Sequence, residues 1–325
     1  MQAKATSAPS AVSSRMGAAL NPVFRKGILV ATNNRVVASG VRRYGMRLGG
    51  ARFVAGETID EAIPVLRRLN EAGLRTNTTL LGEHVESAET ARAVVDSYEA
   101  ILDRIAAEGL TTNVALKLTH LGLDIGQAVA FDNVRTVARH AAGSGNFVRI
   151  DMEESTRVDA TLAVYRHLRD EGFDNVGTVL QSCLYRSERD LETLLPLAPN
   201  LRLVKGAYLE PPTVAWPKKA DVDAAYISLA ERALQGDGFT AIATHDERII
   251  DHMIAFTDRH GIGRDRFEFQ MLYGIKSPLQ RALAARGYRV LVATPFGPDW
   301  YAYLMRRLAE RPANLAFVLR GAVRR

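Results

Sequence analysis

Tyr303, Arg306, Arg307 and Glu310 stand at i, i+3, i+4 and i+7 near the end of the chain. On a helix that spacing puts all four on one face. Two adjacent arginines beside a phenol make a fork for a carboxylate or a phosphate. Taken alone, an arginine pair on a late helix is usually solvated surface. Its weight comes from other ionisable and amide side chains set inside or just after apolar runs: Glu83, Lys117, Asp151 with Glu153, Gln181, Arg202 with Lys205, Thr244-His245-Asp246, and Glu268 with Gln270. Burying such groups is expensive unless they are paired or have work to do. Buried ion pairs could account for any one of them. A whole set, each at the same end of its run, is better explained by a binding rim.

The elements that must carry these residues are legible. Short apolar runs rich in Val, Ile, Leu and Phe occur at Thr76–Glu83, Val114–Thr119, Asn146–Met152, Val176–Gln181, Leu201–Ala207, Thr240–His245, Arg266–Leu272 and Arg289–Pro295. This composition fits parallel strands covered on both faces. Helical spacing of apolar residues marks Thr58–Ala72, Glu86–Ala107, Arg157–Glu171, Ala224–Leu234 and Pro278–Arg286, and a last helix from Pro298–Asp299 to Glu310. Eight strands alternating with helices predict an α/β fold of the (β/α)8 TIM-barrel class, with extra N-terminal helices outside the barrel. The alternative, a doubly wound sheet, usually carries a glycine-rich phosphate turn. Here Gly143-Ser-Gly145 and Gly261-Ile-Gly263 lack the third glycine. The expected layout is a disordered basic leader over 1–20, helices packed on the barrel over 21–75, and the barrel over 76–325. In such a barrel the chemistry sits at the carboxyl ends of the strands, where the polar residues named above fall.

Composition narrows the function. The 325 residues carry 42 Lys+Arg and 36 Asp+Glu, a net charge of +6. Nine of the basic residues lie in 1–56, which contains no acid; the rest of the chain has 33 basic against 36 acidic residues and is slightly negative. The excess is therefore local, which argues against a nucleic-acid binder. A single cysteine, Cys183, excludes an internal disulfide and a cysteine-based zinc cage, and makes a reducing, cytoplasmic compartment the expectation. The histidines show no H-E-x-x-H spacing, and no metal is expected. No apolar stretch is long enough to span a bilayer. The nine uncompensated cations would still be drawn to anionic lipid, which allows peripheral contact at a membrane surface.

The chain resembles the proline dehydrogenases, flavoenzymes that oxidise L-proline to Δ1-pyrroline-5-carboxylate. The strings that carry the resemblance include Arg43-Tyr-Gly-Met-Arg-Leu-Gly49, Leu81-Gly-Glu83, Leu116-Lys-Leu-Thr-His-Leu-Gly-Leu-Asp124, Phe147-Val-Arg-Ile-Asp-Met-Glu153, Arg202-Leu-Val-Lys-Gly-Ala-Tyr208, Ala243-Thr-His-Asp246, Phe267-Glu-Phe-Gln-Met-Leu-Tyr-Gly274 and Asp299-Trp-Tyr-Ala-Tyr-Leu-Met-Arg-Arg-Leu-Ala-Glu310. They spread over roughly residues 40–315. The resemblance implies a distorted barrel with FAD over its mouth and a quinone as electron acceptor. It assigns the substrate carboxylate to Lys117, Arg306 and Arg307, held in place by Glu310 and Asp151. Arg202 is placed near flavin N5, tuning its electronics. Gln181, Lys205, Gly206, Ala207, Thr244 and His245 are placed along the FAD, with Glu268 and Gln270 at its edge. Tyr208, Tyr303, Leu203 and Ala293 are placed around the proline ring, and Glu83 as a gate pairing with Arg306. Hydride leaves the carbon next to nitrogen, so the amine must be neutral and the carboxylate grip must orient the ring.

Three positions depart from the family pattern. Thr79 stands where an acid is usual, four residues before Glu83. Gln181-Ser182-Cys183 replaces Gln-Ala-Tyr, and Ala293-Thr-Pro-Phe-Gly297 replaces a string beginning with tyrosine. The last change opens space beside the ring and suits a substituted substrate such as 4-hydroxyproline. Two other classes remain open on the sequence: a Schiff-base aldolase using Lys205 or Lys117, and a non-catalytic relative.

Overall fold

The computed structural model describes residues Gly50–Glu310, with the backbone alone for 306–310. The leader expected over 1–20, and the part of the N-terminal segment up to residue 49, lie outside the described residues. Two compact units divide the chain: Ala55–Gly297, and a second made of 1–54 with 298–325.

The first unit is a closed barrel of eight parallel strands in sequence order. They are β1 (Arg75–Leu80), β2 (Thr112–Leu116), β3 (Val148–Ile150), β4 (Val176–Gln181), β5 (Asn200–Val204), β6 (Phe239–Ala243), β7 (Phe267–Leu272) and β8 (Val290–Phe296). Each expected strand is present. Several stop two or three residues earlier than expected, because Glu83, Lys117 and Lys205 lie in the loops that follow. Helices α1 (Ile59–Glu71), α2 (Ala88–Ala107), α3 (Gln127–Gly143), α4 (Val158–Asp170), α5 (Ser187–Leu194), α6 (Lys219–Leu234), α7 (Glu247–Arg259) and α8 (Ser277–Ala285) surround it. Thr58 caps α1 by accepting from Glu61 N, and Ser87 caps α2 by accepting from Thr90 N.

The ring of helices is completed from the front of the chain. Helix α1 precedes β1 yet packs against both β1 and β8. The segment leading into it is hydrogen-bonded to the end of β8, through Ala55 N to Pro295 O at 2.8 Å and Gly297 N to Gly56 O at 3.0 Å. The unit that holds the barrel spans Ala55–Gly297.

Strand alternation divides the side chains between two cores. Leu116, Val148, Leu180, Leu203, Ile242, Phe269 and Val292 belong to the apolar layer under the helices. The inner face is far more polar. Aligned register rows carry Asn77 beside Asn113, Ala115 beside Arg149, Val179 beside Arg202, and Gln270 beside Leu291.

The second unit contains α9 (Trp300–Glu310), a helix at the place and length expected.

Candidate active site

The inner face of the barrel is built around Arg202. This residue sits in the middle of β5 and is 8% exposed. Its guanidinium is held from three strands. Nη1 donates to Asp151 Oδ1 at 2.6 Å, Nε to Gln270 Oε1 at 2.6 Å, and Nη2 to Asn77 Oδ1 at 3.3 Å. Gln270 Nε2 donates in turn to Glu268 Oε1 at 2.6 Å, and Asn77 Nδ2 to Asn113 Oδ1 at 2.5 Å. A buried arginine is tolerated only when its donors are spoken for; here all three nitrogens are. Asp151 follows β3 directly and is fixed by its own N–H to Leu116 O at 2.9 Å.

A second arginine lies deeper. Arg149 Nη1 donates to the carbonyls of Thr178 at 2.9 Å and Asn200 at 2.7 Å, and its guanidinium lies 4.9 Å from the Phe147 ring centroid. Gly177 makes room for it: a Cβ there would lie 2.5 Å from Arg149 Nη1. Burial, followed by repulsion from Arg202, lowers the Arg149 pKa. The carboxylates of Asp151 and Glu268 pull it the other way.

At the carboxyl ends of the strands, Lys117 pairs with Glu83 from the β1–α2 loop. Glu153 is buried and accepts from Thr119 N at 3.0 Å and Thr119 Oγ1 at 2.6 Å. Burial still leaves its carboxyl above the ordinary range. Gln181 closes β4 and donates to the Glu153 carbonyl at 2.7 Å.

The rim over β5 and β6 is cationic. Lys205 lies 2.6 Å from Asp223 and 3.4 Å from Asp246. Lys219 pairs with Asp223, and Arg248 Nη2 lies 3.3 Å from Asp246. Three cations thus face two carboxylates. The Arg248 hydrogen bond is the chief reason that the Asp246 carboxyl is held down at about 2. Asp246 also caps α7, accepting from Arg248 N. Thr244 Oγ1 accepts from Asp246 N at 3.1 Å, and His245 Nε2 accepts from Leu272 N at 2.9 Å, which places the imidazole proton on Nδ1. Gly206 adopts φ +106°, and a Cβ there would collide with Cys183 Sγ. Burial, with Glu210 nearby, pushes the Cys183 thiol up to about 11, so it stays protonated at neutral pH. Ala207 and Tyr208 follow in the same loop, exposed and half-buried respectively.

Most of the residues expected from the sequence converge here: Glu83, Lys117, Asp151, Gln181, Arg202, Glu268 and Gln270 on the inner face or its edge, and Lys205, Gly206, Thr244 and His245 on the rim. Ala293 lies on the inner face of β8, in register with Asn77 and Leu272. Leu203 does not belong with them. It follows Arg202 on the same strand and so points the opposite way, into the layer under α6. Its expected place beside the substrate is corrected accordingly. Asp151, expected to steady Lys117 and the late arginines, is engaged with Arg202. Tyr303, Arg306, Arg307 and Glu310 fall on the continuous helix α9 as the spacing requires. The side chains of Arg306, Arg307 and Glu310 lie outside the described residues.

Asn77, Asn113, Arg149 and Asp223 were not anticipated. For the asparagines a signal existed. A Thr-Asn pair stands near the start of both β1 and β2, although asparagine is rare in strands. The register sets Thr76 on Thr112 and Asn77 on Asn113, with the threonine hydroxyls 2.5 Å apart.

Both lysines proposed for Schiff-base chemistry are paired with carboxylates. Among the described residues no group of histidine, cysteine, aspartate and glutamate could hold a metal ion, and no helix is long and apolar enough to cross a membrane.

Comparison with known proteins agrees with this geometry. The proline dehydrogenase family model matches residues 62–320. A proline dehydrogenase of Deinococcus radiodurans is 45% identical over 309 residues, covering 94% of this chain and 99% of that protein. Proline dehydrogenase 1 of Bacillus subtilis (strain 168) is 41% identical over 303 residues, 93% of this chain and all of that one. Among solved structures, proline utilization A (PutA) from Bdellovibrio bacteriovorus, inactivated by N-propargylglycine, superposes with a TM-score of 0.79 at 25% identity over 92% of this chain. The chain spans only 38% of that larger protein. The matched family, the near full-length relatives and the barrel with its polar interior agree: the chain belongs to the proline dehydrogenase family.

Proposed function

We propose that this chain binds FAD across the carboxyl ends of its barrel strands and oxidises L-proline there to the cyclic imine. The observation that carries the assignment is the Asp151–Arg202–Gln270–Glu268 network, a fully paired cation held rigidly inside the barrel. The donor set suits a flavin dinucleotide. Lys205, Lys219 and Arg248 outnumber Asp223 and Asp246 on the rim, as a diphosphate requires. Gly206 keeps the loop after β5 free of a side chain, and Gln181, Gln270 and Arg202 offer hydrogen bonds to a polar ring edge. When bound, the flavin supplies the hydride acceptor at N5.

The rest of the chemistry belongs to the chain. Lys117, Arg306 and Arg307 hold the substrate carboxylate, with Glu310 steadying the arginines. A fixed carboxylate fixes the ring, and with it the hydrogen to be removed. Tyr208 and Tyr303 wall the ring, and Glu83 balances the charge of Lys117 until a carboxylate arrives. Electrons pass on to a quinone. The basic N-terminal segment provides peripheral contact with anionic membrane, so co-sedimentation with liposomes should weaken when that segment is trimmed.

Ala293 supports a second reading of the substrate. It presents only a methyl group on the inner face, which leaves room for a 4-substituted ring. The test for both is anaerobic flavin bleaching by a panel of cyclic amino acids. Purified protein should be yellow and bleach with L-proline or a substituted proline. Colourless protein trapped by borohydride together with substrate would instead indicate a lyase.

A further inference from the structure

Five charged groups form a line of alternating sign that ends at Lys117. Arg157 Nη2 lies 2.5 Å from Asp124 Oδ1. Asp124 Oδ2 lies 2.9 Å from His84 Nδ1, and His84 Nε2 lies 3.9 Å from Glu83 Oε2. Glu83 Oε1 then pairs with Lys117. The line begins in the turn before α4, runs through the loop before α3 and the β1–α2 loop, and reaches the end of β2. Histidine is the side chain in this line whose ordinary pKa lies near neutrality.

The position is also shaped for this residue. His84 adopts φ +55°, a left-handed conformation that few side chains accept, histidine and asparagine among them. On its N-terminal side, a Cβ on Gly82 would collide with the His120 ring, so the loop is pinned against the turn after β2. The side chain of His84 can therefore reach Asp124 and Glu83 at once.

We propose that His84 is a positioning residue for substrate binding: as an imidazolium it shares the charge of Glu83, so that Lys117 keeps positive charge for the substrate carboxylate. The inference rests on the placement of Lys117 in the carboxylate grip. When His84 is neutral, it no longer shares the charge of Glu83, more of that charge falls on Lys117, and the substrate carboxylate meets a less positive site. The groups facing His84 are Asp124, Glu83 and Glu154, with Arg157 behind Asp124 and Glu154. The hydrogen bond to Asp124 is the main cause that raises the His84 pKa above the ordinary histidine value.

The test uses the holoenzyme and cyclopentanecarboxylate, which has the ring and the carboxylate of proline but no amine to titrate. In the wild type its inhibition constant should rise about two- to fourfold between about pH 5.5 and about pH 9, the effect of removing one charge at this range. The midpoint should coincide with the His84 titration seen by NMR. His84→Asn, which tolerates the backbone conformation, should give the weaker, high-pH constant throughout. His84→Lys should give the tighter constant throughout. The kcat for proline should be the same in all three at a given pH. A wild-type step that survives in His84→Asn, or one that appears in kcat, would overturn the role of His84. Lys117→Gln with unchanged inhibition would overturn the placement of Lys117 and the inference with it. A Lys117 effect without a His84 effect would sink the inference alone.

Discussion

Arg202 Nη1 donates to Asp151 Oδ1 at 2.6 Å across the barrel interior, from β5 to the end of β3. Neither neighbour in the sheet makes this contact; it joins strands two apart in the sheet. Removing the carboxylate strands a buried cation. Asp151→Ala should cost about 2–3 kcal/mol of stability, at the low end of the range for a buried pair because Asp151 keeps some solvent contact. Urea denaturation of the apoprotein measures it. Asp151→Asn, which retains an acceptor oxygen, should lose less.

Arg202→Lys tests geometry rather than charge. A lysine keeps the cation but cannot serve Asp151, Gln270 and Asn77 in one plane. Losing two charge-assisted hydrogen bonds should lower kcat for proline about 10- to 100-fold. An unchanged kcat would mean that only the charge matters.

Gly177→Ala should destabilise strongly while touching nothing at the strand ends. The added methyl would meet Arg149 Nη1 and the Asn200 carbonyl at 2.5 Å and the Phe147 ring at 2.7 Å. Overpacking of this kind costs about 1–3 kcal/mol, readable as a lower Tm. Protein that still folds should keep its affinity for proline.

Glu153 carries a pH signature. Its folded carboxyl ionises later than that of an unfolded glutamate, chiefly because it is buried. Between those two values the folded state binds the extra proton, so stability falls as pH rises through that window. Glu153→Gln should remove this slope, and its stability should gain on the wild type as pH rises above the ordinary glutamate range. Parallel stability–pH curves for the two proteins would contradict it.

Ala293→Tyr should shift preference toward proline and away from 4-substituted prolines, since a phenol on the inner face would fill the space beside the ring. The ratio of the two kcat/KM values is the measurement. Efficiencies that move together would show that position 293 does not border the substrate.

The strands were legible because each is a short apolar run with a polar residue near its end, and the barrel follows from their number and alternation. Helices α3, α5 and α7 lie outside the segments that helical spacing marks in the sequence. Ser187–Leu194 is short and mostly polar, and Gln127–Gly143 is interrupted by polar residues and ends on glycine. Glu247–Arg259 does have a clear apolar stripe, but the polar Thr244-His245-Asp246 motif runs directly into it and blurs its start. Site residues were recognised where a charge interrupted an apolar run. Arg149 interrupts one too, but its bond to the Asn200 carbonyl and the room left by Gly177 depend on the register of β3 against β4 and of β4 against β5. Leu203 was misplaced for the opposite reason. It sits inside the most recognisable string in the chain, and adjacency in sequence says nothing about which face of a strand a residue occupies. Asp223 became part of the rim through its fold neighbour Lys205, with no local mark of its own.

Helix α1 has a consequence for how this protein is made. It is among the first parts of the barrel unit to be synthesised, yet it is tied to parts that come last: Arg68 Nη2 reaches the hydroxyl of Tyr273, just after β7, at 3.3 Å, and the segment before it pairs with Pro295. Until β8 emerges, the part of α1 that packs on it is left uncovered. Closure therefore depends on contacts between the two ends of the unit, the kind that slow folding and leave apolar surface uncovered in the meantime. A ribosome stalled just before β8 should hold a barrel with an open seam.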